Sequence, residues 1–254
     1  VNEVHEQSTV LIICPLEHER DVLRRALGSR ASDFRWIVSG PGGASVRRAL
    51  EREAPSLDRN SLVILAGCAG GLMAGAGPIS IANEVIDATT PTPDAAATHR
   101  DHRRWLRPSS VIDDVILASD DMAAMIDRRP IVGVDDVVAT VEAKRSLCVR
   151  TGGVIADMES HAFADLATER AITWCVLRGV SDGHTETLPH GCETWIDNSG
   201  RTRLWRVLFA LARGPWTLRA IIRLGSNTKR ALRGVARVIE RIAPQQPQRG
   251  PARS

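Results

Sequence analysis

Acidic side chains at two places are the feature of this sequence best able to do chemistry. Asp157-Met158-Glu159-Ser160 stands where an apolar-periodic helix begins, and Asp182 closes the run Arg178-Gly179-Val180-Ser181-Asp182 just before Gly183. One acidic cluster at a helix start and another acid just past a strand's carboxyl end are both placed where open α/β sheets form ligand crevices. Carboxylates that converge on one crevice suit general acid and base work. Each piece also has a bland reading. Asp157 or Ser160 could simply cap a helix, and Ser181-Asp182-Gly183 could be an ordinary turn after a strand.

The elements that must position these acids can be read from apolar periodicity. Val154 to Ala156 is a short apolar run, Ala162, Phe163, Leu166 and Ala167 recur at helical spacing, and Ile172 to Leu177 reads as a buried strand. Near the start, Thr9 to Cys14 is a first strand closed by Pro15. The helix after it carries Glu17, Glu19 and Arg20 with apolar Val22, Leu23 and Leu27. Glu19 therefore stands at the mouth of the sheet, either as a site residue or as a complement to its helix dipole. Trp36 to Ser39 predicts a strand followed by the glycine-rich turn Gly40 to Ser45, whose close-approach backbone and helix N-terminus could receive an anion. Arg47 and Arg48 on that helix could touch a phosphate or face solvent. Ser61 to Ala66 is a further strand, and Gly67-Cys68-Ala69-Gly70-Gly71-Leu72 follows it, with Cys68 a small apolar filler or a nucleophile. Ile79 to Asp87 reads as one strand, Ala88 to Arg107 as a proline-punctuated loop, Pro130 to Val138 as a strand entering the site, and Glu142 to Val149 as a short helix. His99 and His102, among Arg100, Arg103, Arg104 and Trp105, lack a third ligand nearby, so no metal is expected.

Taken together, DMES, the strand ending in Ser-Asp about twenty residues later, GCAGGL and the LEHE corner resemble the superfamily of purine nucleoside phosphorylases and methylthioadenosine/S-adenosylhomocysteine nucleosidases over most of residues 9 to 185. The resemblance implies an α/β fold, a three-layer α/β/α arrangement with a central mixed sheet, and cleavage of a purine N-glycosidic bond without a cofactor. By that resemblance Met158 and Glu159 hold the ribose, and Asp182 beside Ser181 protonates the departing purine at N7. Glu19 activates water, Gly42, Cys68, Ala69 and Gly70 border the sugar or a phosphate, and Val138 borders the base. Three departures stand out. Cys68 replaces a hydroxyl residue and is a poorer hydrogen-bond partner; Val137-Val138 stand where an aromatic would stack; and Pro78-Ile79-Ser80 lacks an acid. Water and phosphate, the latter as co-substrate on the amides near Gly42 and Gly70 with an arginine, both remain open as nucleophile. The segment past Asp182 is similar to phosphorylase-superfamily proteins of hopanoid lipid biosynthesis, which implies adenosylhopane, a lipid-linked adenine nucleoside, as substrate. A soluble methylthioadenosine/S-adenosylhomocysteine nucleosidase or general purine nucleoside phosphorylase, and a non-catalytic nucleoside-binding module, are the alternatives. A homo-oligomer is implied as well.

Composition bounds the rest. The chain has 254 residues, 43% of them hydrophobic, and its apolar runs fall short of the roughly 18 residues of a membrane span. VNEVHEQST does not resemble a secretory signal, so a cytoplasmic protein is expected. Five cysteines without CxxC spacing predict neither a disulfide framework nor a zinc site. The net charge of +3 divides into +12 for residues 201–254 and −9 for those before. The expected organisation is a catalytic domain over 9–211, a basic amphipathic helical extension over 212–243 and a disordered tail over 244–254. Such an extension either packs on the core with its arginines in water or docks on the anionic inner face of a membrane. Nucleic acid is not an expected partner, and steep salt dependence would be its mark.

Overall fold

The computed structural model describes residues 9–58, 60–89, 102–108, 124–188 and 215–242. Two long strands form its centre, β3 (Leu62–Gly71) and β10 (Thr173–Asp182), which run parallel with Gly67 opposite Arg178 and Gly70 opposite Asp182. Strands covered on both faces read as continuous apolar runs. β1 (Val10–Cys14) shows this plainly, since all its residues are buried. The first half of β3 borders β1, which in turn carries β2 (Arg35–Val38); the last residues of β3 border β9 (Ile155–Asp157). From β9 the sheet continues through β8 (Ile131–Gly133) and β5 (Glu84–Asp87) to β6 (Arg104–Leu106). On the other side of β10 lie β4 (Ile79–Ile81) and β7 (Ile126–Asp127). Parallel and antiparallel pairs are mixed.

Alternation along β1 sorts the core into two layers. Val10, Ile12 and Cys14 pack with Val22, Leu23 and Leu27 of α1 (Glu17–Leu27) and with Leu232, Val235 and Ile239 of α5 (Pro215–Ile242). Leu11 and Ile13 pack on the opposite face with Val46 and Leu50 of α2 (Gly43–Glu53) and Phe163 and Leu166 of α4 (Ser160–Glu169). The sheet is thus flanked by helices on both faces. α3 (Val141–Thr151), capped by the Thr140 hydroxyl, joins β8 to β9.

Of the two readings open for the basic helix, packing describes residues 231–242. Ala231 seats directly on β10, where a Cβ at Gly179 would come within 2.8 Å of it. Arg230, Arg233, Arg237 and Arg241 stay exposed on the outer side. No helix among the described residues is long and apolar enough to cross a membrane.

The structure corrects several expected boundaries. β3 runs on past Ala66 through Gly71 and β10 past Leu177 through Asp182, so Ser181-Asp182 is strand rather than an ordinary turn. Ile79–Asp87 is two strands rather than one. It breaks at Ala82-Asn83, where the Asn83 N–H turns to the Arg128 carbonyl and β5 leaves β10 to pair with β8 and β6. Pro130–Val138 is strand only over Ile131–Gly133. The presumed loop before Arg107 contains β6, with Trp105 buried. Most of the expected helix over 109–126, the amphipathic stretch at 204–211, His99 and the tail lie outside the described residues.

Candidate active site

Glu19 is built into the site by its own helix. It occupies the first turn of α1 right after Pro15. Its Oε2 accepts the Leu16 N–H at 3.2 Å, closing the helix start, while Oε1 accepts the Cys68 N–H of β3 at 2.8 Å. It is therefore more than a dipole complement, because the second bond ties α1 to a strand 49 residues away. Burial pushes the carboxyl up to about 7, against the pull of Arg178 and of the Cys68 amide. A carboxylate that titrates near neutrality is suited to take a proton.

Arg178 lies beneath Glu19 and is fully buried on β10. Its Nε donates to Asp157 Oδ2 at 2.7 Å and its Nη2 to Glu159 Oε2 at 3.1 Å. A Cβ on Gly67, its partner across the strands, would fall 2.5 Å from Arg178 Nη1 and 2.9 Å from Glu19 Oε1, so glycine is what lets the two groups sit side by side. Among the described residues Nη1 has no hydrogen-bond partner. Burial pulls the guanidinium pKa down, and Asp157, Glu159 and Glu19 together more than offset it. Asp157 also does what a helix cap does, its Oδ1 accepting the N–H groups of Glu159 and Ser160. Glu159 is fixed from a third direction by the Gly42 N–H at 2.8 Å. Burial raises its pKa, Arg178 opposes that rise and Asp157 adds to it.

Asp182 stands at the far end of β10 with a different cation. Lys144 of α3 is 1% exposed and gives its three N–H groups to Asp182 Oδ2 at 2.5 Å, the Gly183 carbonyl at 2.8 Å and the Glu186 carbonyl at 2.9 Å. The other oxygen, Asp182 Oδ1, accepts the Ser181 hydroxyl at 2.8 Å. Asp182 is thus held between an ammonium and a hydroxyl.

One pocket holds these groups. Glu19, Cys68, Ala69, Gly70, Val138, Met158, Glu159, Ser181 and Asp182 all line it, and Gly42 sits behind Glu159. Its aliphatic lining comes from Leu72, Val134, Val137, Val138 and Leu188. Cys68 is no nucleophile in waiting, since burial first and Glu19 second push its thiol well above the ordinary range. Arg47 does not reach the pocket. It is tied to Asp165 and Glu169 on α4 and to Glu51, while Arg48 is exposed and donates to Ser45. No cluster of three or more His, Cys, Asp or Glu with metal-binding geometry occurs among the described residues. Sequence reasoning missed Lys144 and Arg178. Arg178 left a signal, a charge inside the apolar run of β10; Lys144, in a helix of mixed polarity, left none.

A family model described as the phosphorylase superfamily matches residues 35–213. The chain belongs to the phosphorylase superfamily. The matched span takes in every pocket-lining residue except Pro15, Leu16 and Glu19, so the placement of Glu19 rests on geometry. Among solved structures, the chain is similar to the 5′-methylthioadenosine/S-adenosylhomocysteine nucleosidase of Neisseria meningitidis bound to methylthio-immucillin-A. The TM-score is 0.65 at 18% identity, over 92% of this chain and 98% of that one. It is also similar to the corresponding Helicobacter pylori nucleosidase, with TM-score 0.65 and 12% identity over 92% and 96% of the two chains. The Helicobacter pylori futalosine hydrolase is a further likeness, with TM-score 0.65 and 13% identity over 94% and 98%. At such identities the likeness shows the shared α/β fold. No curated protein sequence matches the chain.

Proposed function

We propose that this protein hydrolyses the N-glycosidic bond of an adenine nucleoside. The observation that carries the reading is that two separately held acids line one pocket, Glu19 on the amides of Leu16 and Cys68 and Asp182 on Lys144 and Ser181, together with Met158 and Glu159. Breaking the bond leaves an oxocarbenium-like sugar and a base that needs a proton. Asp182 shares the pocket with the aliphatic residues against which a purine would lie, and would protonate N7. Glu159, with one lone pair on each oxygen already engaged, keeps another on each for ribose hydroxyls, contacts that strengthen as charge grows on the ring. Met158 supplies an adaptable apolar wall for the sugar.

Electrostatics favour water over phosphate as nucleophile. Among the described residues, five acids line the pocket, Glu19, Asp136, Asp157, Glu159 and Asp182, against Lys144 on its wall and Arg178 paired with Asp157 and Glu159. A phosphate dianion there would meet like charge. The amides it would need are taken, that of Gly42 by Glu159 and that of Cys68 by Glu19. A water between Glu19 and Arg178 Nη1 would satisfy the unpaired guanidinium N–H and present its oxygen to C1′ as Glu19 takes its proton.

Two substrates divide the support. The segment past Asp182 resembles hopanoid-associated proteins and favours adenosylhopane, with the exposed arginines of α5 toward an anionic membrane face. The similar solved structures favour methylthioadenosine or adenosylhomocysteine equally well. A homo-oligomer belongs to either reading. Incubation with adenosylhopane and, separately, with methylthioadenosine, each with and without phosphate, followed by chromatography of free adenine, tests all of this. Adenine release without phosphate is expected. Strict phosphate dependence would name a phosphorylase instead, and no adenine from either substrate would leave a nucleoside-binding module.

A further inference from the structure

We propose that Lys144 is a positioning residue that supplies the proton for the departing base, acting through Asp182. The inference rests on the nucleoside-cleaving reading and assigns the source of a proton which that reading leaves unassigned.

Lysine is seldom fully buried, and an ammonium out of water must be paired and hydrogen-bonded. Lys144 meets this requirement in an unequal way. Two of its N–H groups go to the carbonyls of Gly183 and Glu186, which can only accept. The third goes to Asp182 Oδ2, whose side chain lines the pocket and whose other oxygen is held by Ser181. If Lys144 gives up that third proton, the remaining amine still donates to both carbonyls and turns its lone pair toward Asp182. The same contacts therefore hold the amine and the ammonium, so nothing needs to rearrange when the proton leaves. Two neutral carbonyls and one acid also leave the lysine a single place to send it.

The step balances as follows. The electron pair of the C1′–N9 bond passes into the purine ring, and N7 takes a proton from Asp182. In this relay Asp182 begins and ends as a carboxylate: Lys144 Nζ passes a proton to Oδ2, Oδ2 passes it on to N7, and Lys144 ends as the neutral amine. Water adds to C1′ and gives its proton to Glu19. Solvent then takes the proton from Glu19 and returns one to Lys144. Arg178 could not replace Lys144 in this task, because a guanidinium does not give up its proton in proteins.

The test compares two leaving groups. Adenine departs with protonation at N7, whereas the 4-nitrophenolate of a 4-nitrophenyl riboside departs as a stable anion and needs no proton. Lys144→Met is expected to lower kcat/KM for methylthioadenosine by about 10²–10³-fold and for the nitrophenyl riboside by less than about tenfold, so that the ratio of the two shifts. Lys144→Arg keeps a cation opposite Asp182 yet has no proton to give, and is expected to show the same shifted ratio. Equal losses on both substrates, or rescue of adenine release by arginine, would overturn the proposal by making the lysine structural. Should both variants fail to fold, the unmodified protein still decides. Its pH profile for adenine release is expected to fall on the alkaline side while that for nitrophenolate does not, and coincident profiles would overturn the proposal. Failure of the unmodified protein to cleave either substrate would overturn the nucleoside-cleaving reading and this one with it.

Discussion

Two buried cations divide the site, and they are used in opposite ways. Arg178 and Lys144 each have about 1% of the side chain exposed, and each contacts a carboxylate. Arg178 serves a crowd: Asp157 and Glu159 by hydrogen bonds, and Glu19 through space. Lys144 serves one acid and two neutral carbonyls. The Arg178 end therefore gathers three acids around one cation, and Glu19, which Arg178 does not hydrogen-bond, is the acid that burial pushes up to about 7. The Lys144 end is a balanced pair. A planar guanidinium with five donors can order several acids without changing its own charge, whereas an ammonium can hold one acid and still pass on a proton.

The severest way to break that contrast is Arg178→Met. It leaves Asp157 and Glu159 buried without a counter-charge, and loss of one partner of a buried ion pair costs about 3–5 kcal/mol. Urea unfolding of the variant is expected to show a loss of that order together with complete loss of adenine release. A loss below about 1 kcal/mol would mean that the acids are held by their backbone amides and that Arg178 is not their organiser.

The second test concerns pH and separates the two ends. On the proposed mechanism Glu19 must be ionised to act as the base, so adenine release is expected to rise with pH through about 7. Stability must move the other way. The folded protein keeps a proton on Glu19 that the unfolded chain has already lost above its ordinary value near 4.5, so stability is greatest below that value and falls as pH rises toward 7. The predicted decline is roughly 3 kcal/mol between pH 4.5 and 8 from this group. Glu19→Gln is expected to abolish both the rate limb and this part of the decline, as read from urea midpoints at several pH values. A limb that survives the substitution would place the base elsewhere.

Much of this arrangement was legible in the sequence, for a definite reason. The acids Glu19, Glu159 and Asp182 sit at the junctions of apolar runs with polar ones, and the runs β1, β3 and β10 fix which end of the sheet they share. Lys144 was not legible. Its partner lies 38 residues on, and a lysine in the first turns of a short helix looks the same whether it faces solvent or a buried acid. The glycine-rich stretch Gly67–Gly71 was read as following the Ser61–Ala66 strand, because glycine is sparse in strand interiors. Here it is strand, and Gly67 makes room for Arg178 and Glu19. The basic helix misled in another way: its arginines were visible, but the packing of Ala231 against Gly179 depends on a strand some fifty residues earlier.

The smallest expected effect sharpens the comparison most finely, because Cys68 stands between the two ends. Its N–H holds Glu19, and its thiol, kept neutral by burial and by Glu19, also feels Asp182. Cys68→Ser leaves that N–H in place and exchanges one small neutral group for another that hydrogen-bonds better. If the site works as two separate ends joined only through substrate, kcat/KM is expected to change by no more than about threefold, under 1 kcal/mol in barrier, and thermal stability should hold. A rise beyond about tenfold, worth some 1.4 kcal/mol, would mean that a hydroxyl at this position reaches the sugar or the water and couples the ends directly. A fall of that size would give the thiol itself a role in the reaction and remove Glu19 as the sole activator at its end.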